Sequence, residues 1–167
     1  MPRRDAANIS TLEAPDSRLL HALADVAADK GFAAVTVADV VRVAGVSKRT
    51  FYEHFADKEV CFLALYRLAS ASALNTLRAA VQPSLPWQEQ VETALRAYFS
   101  HLSAGPRLLR TLFVEIHHLG EAGAAARREV MGSLADFMCE TVNRDRPAEQ
   151  ALSPAMAMAA VGAITEL

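Results

Sequence analysis

The run Ser47-Lys48-Arg49-Thr50-Phe51-Tyr52-Glu53-His54, with Thr36 before it and Lys58 after it, is the part of the chain best equipped to grip an anion. Ser47 is placed to cap a helix whose first turn holds Lys48 and Arg49. A helix N-terminus carries roughly half a positive charge, so cations there forfeit about 0.3–1 kcal/mol each. Lys58 repeats the oddity, because it directly follows Asp57, the expected cap of the next helix. Such placement makes little sense for stability alone. It makes sense if backbone N–H groups and side chains together hold a polyanion. The planar fork of Arg49 matches guanine O6 and N7, and Lys48 can read a base or hold a phosphate. Thr36, Thr50, Tyr52, His54 and Lys58 are types that clamp phosphates, and Ser47 adds a hydroxyl beside them. The polyanion implied is duplex DNA.

Three short helices have to position these groups. Asp16 or Ser17 is expected to open the first, and Gly31 to close it as a left-handed cap after Lys30. Thr36-x-x-Asp39 is a capping-box start for the second, with Val37, Val40 and Val41 on its inner side. Gly45 turns the chain, and the third helix runs from Ser47 to His54 or Phe55. Two helices joined by a tight glycine turn form a helix-turn-helix, whose second helix presents its N-terminal half to the major groove. Residues 16–56 are therefore expected to be a DNA-binding domain. Residues 1–15 read as a flexible, polar arm in which Arg3 and Arg4 could reach a minor groove.

Residues 57–167 continue as helices only. The first runs from Asp57 to Ala80, with Phe62, Leu65, Leu68 and Ser72 at helical spacing. Pro83 and Pro86 break it; Trp87–Leu102, Arg107–Leu119, residues 121–143 and a last helix from near Pro154 follow. No segment alternates with period two. The fold class is all-α, with about eight helices forming a three-helix head and a larger C-terminal bundle.

Composition bounds the partners. The chain has 167 residues, 52% of them hydrophobic, and a net charge of −2. Around the anion-binding run, Arg42, Lys48, Arg49 and Lys58 outweigh Glu53 and Asp57. A basic patch on an acidic body suits a protein that touches DNA with one face. Cys61 and Cys139 form no paired motif and read as free thiols in a reducing compartment. The start lacks the apolar core of a secretory signal, and the apolar run from Ala151 to Ile164 is too short to span a bilayer. The expected location is the cytoplasm, away from membranes.

Enzyme chemistry finds little support. Glu115-x-x-His118 is half of the motif used by two-metal bundles, but no second copy exists. There is no phosphate-cradling glycine loop and no nucleophile elbow. No catalytic residue, metal or cofactor is therefore expected. The C-terminal bundle is expected to keep a pocket, with Trp87, Tyr98, Phe99, Phe113, His117, Phe137, Met138 and Cys139 as candidate lining residues. Their mix fits a mainly apolar small molecule with one or two polar handles.

The string Val43-Ala-Gly-Val-Ser-Lys-Arg-Thr-Phe-Tyr-Glu-His-Phe-Ala-Asp-Lys-Glu59 closely resembles the DNA-binding head of the TetR family of transcriptional repressors. The resemblance is specific over residues 17–66 and generic beyond. It implies an all-helical homodimer with an N-terminal operator-binding head and a C-terminal domain that binds a small-molecule effector. Lys48 to Tyr52 would then lie in the groove, while Thr36, His54 and Lys58 hold the backbone. Val41 departs from the pattern, which often has Ala there. Family members usually continue through two long helices that build the dimer interface; this sequence ends within or just after the first. A ligand-released repressor on a palindromic operator is the function expected. The alternatives are an activator or architectural DNA binder without small-molecule control, and a helical small-molecule binder that has lost DNA binding.

Overall fold

The computed structural model describes residues 15–103 and 105–165. Every regular element among them is helical. The chain divides into two compact units, one built from the residues up to Tyr66 with Arg107–Leu119, the other from Arg67–Pro106 with the residues from Gly120 onward.

The first unit starts with α1 (Pro15–Lys30), which presents Leu19, Leu23 and Val26 inward. A single 3₁₀ turn, Phe32–Ala34, leads to α2 (Val37–Ala44) and then α3 (Lys48–His54). The core is closed by the start of α4 (Lys58–Ala80), whose Phe62 lies 4.5 Å, ring to ring, from Phe32. Leu19, Leu23, Val40, Phe51, Cys61 and Phe62 are all completely buried here. Burial of this extent is the main stabilising term for so small a head. Helix α6 (Pro106–Glu115) and the 3₁₀ turn Ile116–Leu119 complete the unit, burying Leu112 and Ile116.

The second unit holds the rest of α4, α5 (Trp87–Ser103), α7 (Gly120–Asn143) and α8 (Pro154–Thr165). Helices α7 and α8 pack through Ala135, Ala157 and Val161, with Met131, Leu134 and Met138 around them. Between the two, the Asn143 side chain donates to the Leu152 carbonyl at 2.9 Å and accepts the Leu152 N–H at 2.7 Å. That two-way amide latch satisfies the loop backbone where no helix can. Ser153 then caps α8 by accepting the Met156 N–H.

Several expectations shift. Asp16 sits inside the first turn of α1 rather than ahead of it. Gly31 has the positive φ expected, but its ψ of 145° puts it outside the left-handed helical region. The predicted helix 107–119 tightens into a 3₁₀ turn after Glu115, with Gly120 at φ 55° starting the next helix. On α4 the buried residues are Cys61, Phe62, Leu65, Tyr66, Ala73 and Leu77, whereas Leu68 is 47% exposed and Ser72 is exposed too. Leu68 stands two residues from Tyr66, about 200° around the helix, so both cannot face inward. By length and composition α4 could cross a membrane. Cys61, Phe62 and Leu77 on it are buried, while the exposed Arg67 pairs with Glu129 at 2.9 Å. The predicted arm, with Arg3 and Arg4, lies outside the described residues but for Pro15.

Candidate nucleic-acid interface

The helix-turn-helix is built by local chemistry. Thr36 caps α2 by accepting the Asp39 N–H at 3.2 Å, and Asp39 returns the bond by accepting the Thr36 N–H at 3.0 Å. Two orphan donors are thereby satisfied. The Thr36 hydroxyl also donates to Asp39 Oδ2 at 2.6 Å, and Lys30 Nζ reaches the same oxygen at 2.6 Å. The Lys30 ammonium, then the Thr36 hydroxyl and N–H, hold the Asp39 carboxyl well below the usual carboxylate range. Gly45, at φ 64° and ψ 37°, ends α2 in the left-handed region that glycine adopts without strain. The Val46 N–H closes the turn on the Val41 carbonyl.

Ser47 caps α3 as expected, accepting the Thr50 N–H at 3.0 Å, and its hydroxyl meets the Thr50 hydroxyl at 2.9 Å. Phe51 anchors the helix in the core. This leaves Ser47, Lys48, Arg49, Tyr52 and His54 exposed, with Thr50 partly covered. Lys48 makes no hydrogen bond or ion pair with the described residues. Arg49 donates from Nε to Glu53 Oε1 at 3.0 Å, a bond that keeps both terminal nitrogens available. Tyr52 rests edge-on against Phe51, 5.4 Å between centroids, and is 57% exposed. One short helix thus exposes two cations, a phenol and an imidazole.

Thr36 and Lys58 are placed differently. The Thr36 hydroxyl proton is already given to Asp39. Lys58 turns toward the protein, donating to the carbonyls of Val35 at 3.0 Å, Phe32 at 3.3 Å and Ala33 at 3.4 Å. Its ammonium also lies 4.8 Å from the Phe32 ring centroid. Glu53, as the Arg49 partner, went unremarked at the level of sequence, although its spacing of four on a helix was a usable signal.

Of the eight candidate ligand residues, Tyr98, Phe137 and Met138 meet at an apolar cavity of about 120 Å³ in the second unit. Leu77, Ala94, Thr141 and Val161 share its wall, residues too ordinary to stand out in a sequence. Burial pushes the Tyr98 phenol upward. Trp87 is instead near the surface, its ring 4.4 Å from the Arg146 guanidinium. Phe99 is 52% exposed, and Cys139 packs toward the Leu152 carbonyl. Phe113 and His117 belong to the first unit. Glu115 and His118 do come together, at 3.4 Å, but no cluster able to hold a metal ion exists among the described residues.

Comparison with known proteins places this geometry. Residues 19–65 match the profile of bacterial regulatory proteins of the tetR family. The HTH-type transcriptional activator FasR of Mycolicibacterium smegmatis is 26% identical over 77% of this chain and 58% of its own length. The HTH-type transcriptional regulator YxbF of Bacillus subtilis is 32% identical over 53% of this chain and 23% of its own. The chain therefore spans less than two thirds of the length of these relatives. Among solved structures, the fatty acid degradation regulator FadR of Bacillus halodurans superposes with a TM-score of 0.74. That match is 16% identical and covers 99% of this chain and 82% of that one, so it speaks for the fold. The likeness to the tetR family of bacterial regulatory proteins thus rests on the head, residues 19–65.

Proposed function

We propose that the protein is a ligand-responsive transcriptional repressor acting in the cytoplasm. In this reading it binds a near-palindromic operator as a homodimer and is released by a small, mainly apolar molecule. The observation that carries it is α3, where Lys48 and Arg49 stand exposed in the first turn of a helix anchored by Phe51. Arg49 reads guanine, Lys48 and Tyr52 secure the groove, and Ser47, Thr50 and His54 approach the phosphates. A two-fold-symmetric dimer would set its two recognition helices about 34–36 Å apart, one turn of DNA.

The effector would enter the cavity beside Tyr98. At about 120 Å³ it suits one small ring or the end of a longer apolar molecule, since a cavity of roughly 150 Å³ accommodates benzene. Tyr98 and Thr141 contribute only apolar surface to its wall, so the effector it suits is apolar. Helix α4 carries residues of both units and is the natural transmitter. By linkage, operator and effector then weaken each other's binding by the same factor.

Selection of bound duplexes from a random pool at near-physiological salt tests the reading, followed by affinity against salt for the winner. A two-fold-symmetric winner with a steep salt slope is expected, and absence of any enriched sequence would overturn it. The similarity to the activator FasR supports one second reading, in which the same head recruits rather than blocks transcription. Reporter output rising with protein concentration would favour it.

A further inference from the structure

We propose that Glu53 is a positioning residue for base reading, holding Arg49 so that its guanidinium meets guanine through the two terminal nitrogens. This rests on the DNA-binding reading above and adds a residue to it. Phe51 is buried and marks the inner side of α3. At about 100° per residue, Arg49 and Glu53 each stand two positions from Phe51, about 160° away on either side. Both therefore lie on the outermost stripe of the helix, about 40° apart, and both are exposed. A carboxylate in that place repels the phosphates that the neighbouring cations attract. As an isolated group it works against DNA binding.

The bond between the two side chains accounts for it. Arg49 donates from Nε to Glu53 Oε1 at 3.0 Å. A guanidinium carries five N–H donors in a rigid plane, and use of the Nε–H leaves those on Nη1 and Nη2. That remaining edge can meet O6 and N7 of guanine together. An untethered arginine must give up rotamer freedom to read a base, and it can equally well settle on a phosphate. A held one has lost part of that freedom before DNA arrives. The carboxylate thus lowers affinity for any duplex and raises selectivity for the right one, a repulsive element serving specificity.

Glu53→Ala and Glu53→Gln are compared with wild type in the full chain, on the selected operator and on a scrambled duplex. Glu53→Ala should lose about tenfold in the operator-to-random ratio, since a dimer holds two arginines in this way. Both variants should bind the scrambled duplex about threefold tighter, because a negative charge has left the face that meets the phosphates. Glu53→Gln keeps a carbonyl oxygen within reach of the Arg49 Nε–H and should restore most of the ratio. A merely structural role would not separate the two variants in this way. In an Arg49→Ala background, Glu53→Ala should leave the ratio unchanged, because the group it positions is gone.

An unchanged ratio in Glu53→Ala would overturn the proposal, leaving an ordinary surface pair. A further fall of the ratio on top of Arg49→Ala would overturn it too, since Glu53 would then contact a base itself. Solvent exchange of the Arg49 Nε–H, followed by NMR, gives a readout free of DNA. It should quicken in Glu53→Ala, and unchanged exchange would overturn the hold. A wild-type protein without salt-dependent duplex binding would overturn the DNA reading and this inference together. A wild type that selects an operator, with Glu53→Ala its equal, would overturn this inference alone.

Discussion

Replacing Arg49 with alanine separates reading from folding with unusual clarity. The side chain is 88% exposed, and its one partner is Glu53, itself 54% exposed, at 3.0 Å. An exposed pair at this spacing is worth about 0.3–0.5 kcal/mol, and alanine is the better helix former, so stability should barely change. On DNA the loss is larger, because a bidentate arginine–guanine pair contributes about 1–3 kcal/mol of discrimination. A symmetric dimer makes that contact twice, so even the lower figure predicts a fall of about 30-fold in the operator-to-random ratio. Fluorescence anisotropy with the selected operator and a scrambled duplex, at two salt concentrations, measures the ratio. Thermal unfolding of the same samples checks that the fold is intact. An unchanged ratio in a normally folded variant would refute base reading by Arg49, leaving Lys48 or DNA shape to provide specificity.

Three further outcomes follow from the geometry. Ala94 is 2% exposed on the wall of the cavity. Ala94→Leu should raise the melting temperature by about 3–6 °C, since three buried carbons at about 0.8 kcal/mol each outweigh the ordering of one leucine. The variant should also lose any stabilisation by small aromatic additives, and a lowered melting temperature would mean the space is not there. The Asp39 carboxyl is depressed by Lys30 and Thr36, so its contribution is complete above the ordinary carboxylate range and lost as pH falls below it. Asp39→Asn should flatten the pH dependence of stability on the acid side of about pH 5, and an unchanged profile in acid titrations would contradict the assignment. Burial pushes the Cys61 thiol up to about 12, while Cys139 is only partly covered. A thiol-specific reagent at pH 8 should therefore label Cys139 slowly in the native protein and Cys61 only after unfolding, as peptide mapping would reveal.

The head was legible because its signals are local. Thr36 with Asp39, Gly45, and Ser47 with Thr50 each satisfy backbone groups within four residues, so spacing alone reveals them. What escaped depends on the partner across the fold. The three carbonyls that Lys58 meets lie more than twenty residues earlier, out of reach of spacing arguments. Leu68 looked buried because a stripe of leucines fits the helical period, yet Tyr66 and Ala73 define the inward face. The cavity was half legible for the same reason. Tyr98, Phe137 and Met138 draw attention by size, whereas Ala94 and Val161 line it by virtue of being small enough to leave space. The switch to a 3₁₀ turn at Ile116–Leu119 has no distinctive sequence signal before Gly120.

The lysines carry a chemical consequence. The chain has three, Lys30, Lys48 and Lys58, and none after residue 58. Two are committed, Lys30 to Asp39 and Lys58 to its carbonyls. Amine acylation under mild conditions should therefore modify one side chain far ahead of the rest, Lys48 on the recognition helix. A single acyl group there removes the charge and adds bulk in the groove, while the other two amines keep the scaffold rigid. The molecule thus carries its freest side-chain amine at its reading edge, where one acylation should weaken duplex binding and leave the fold intact.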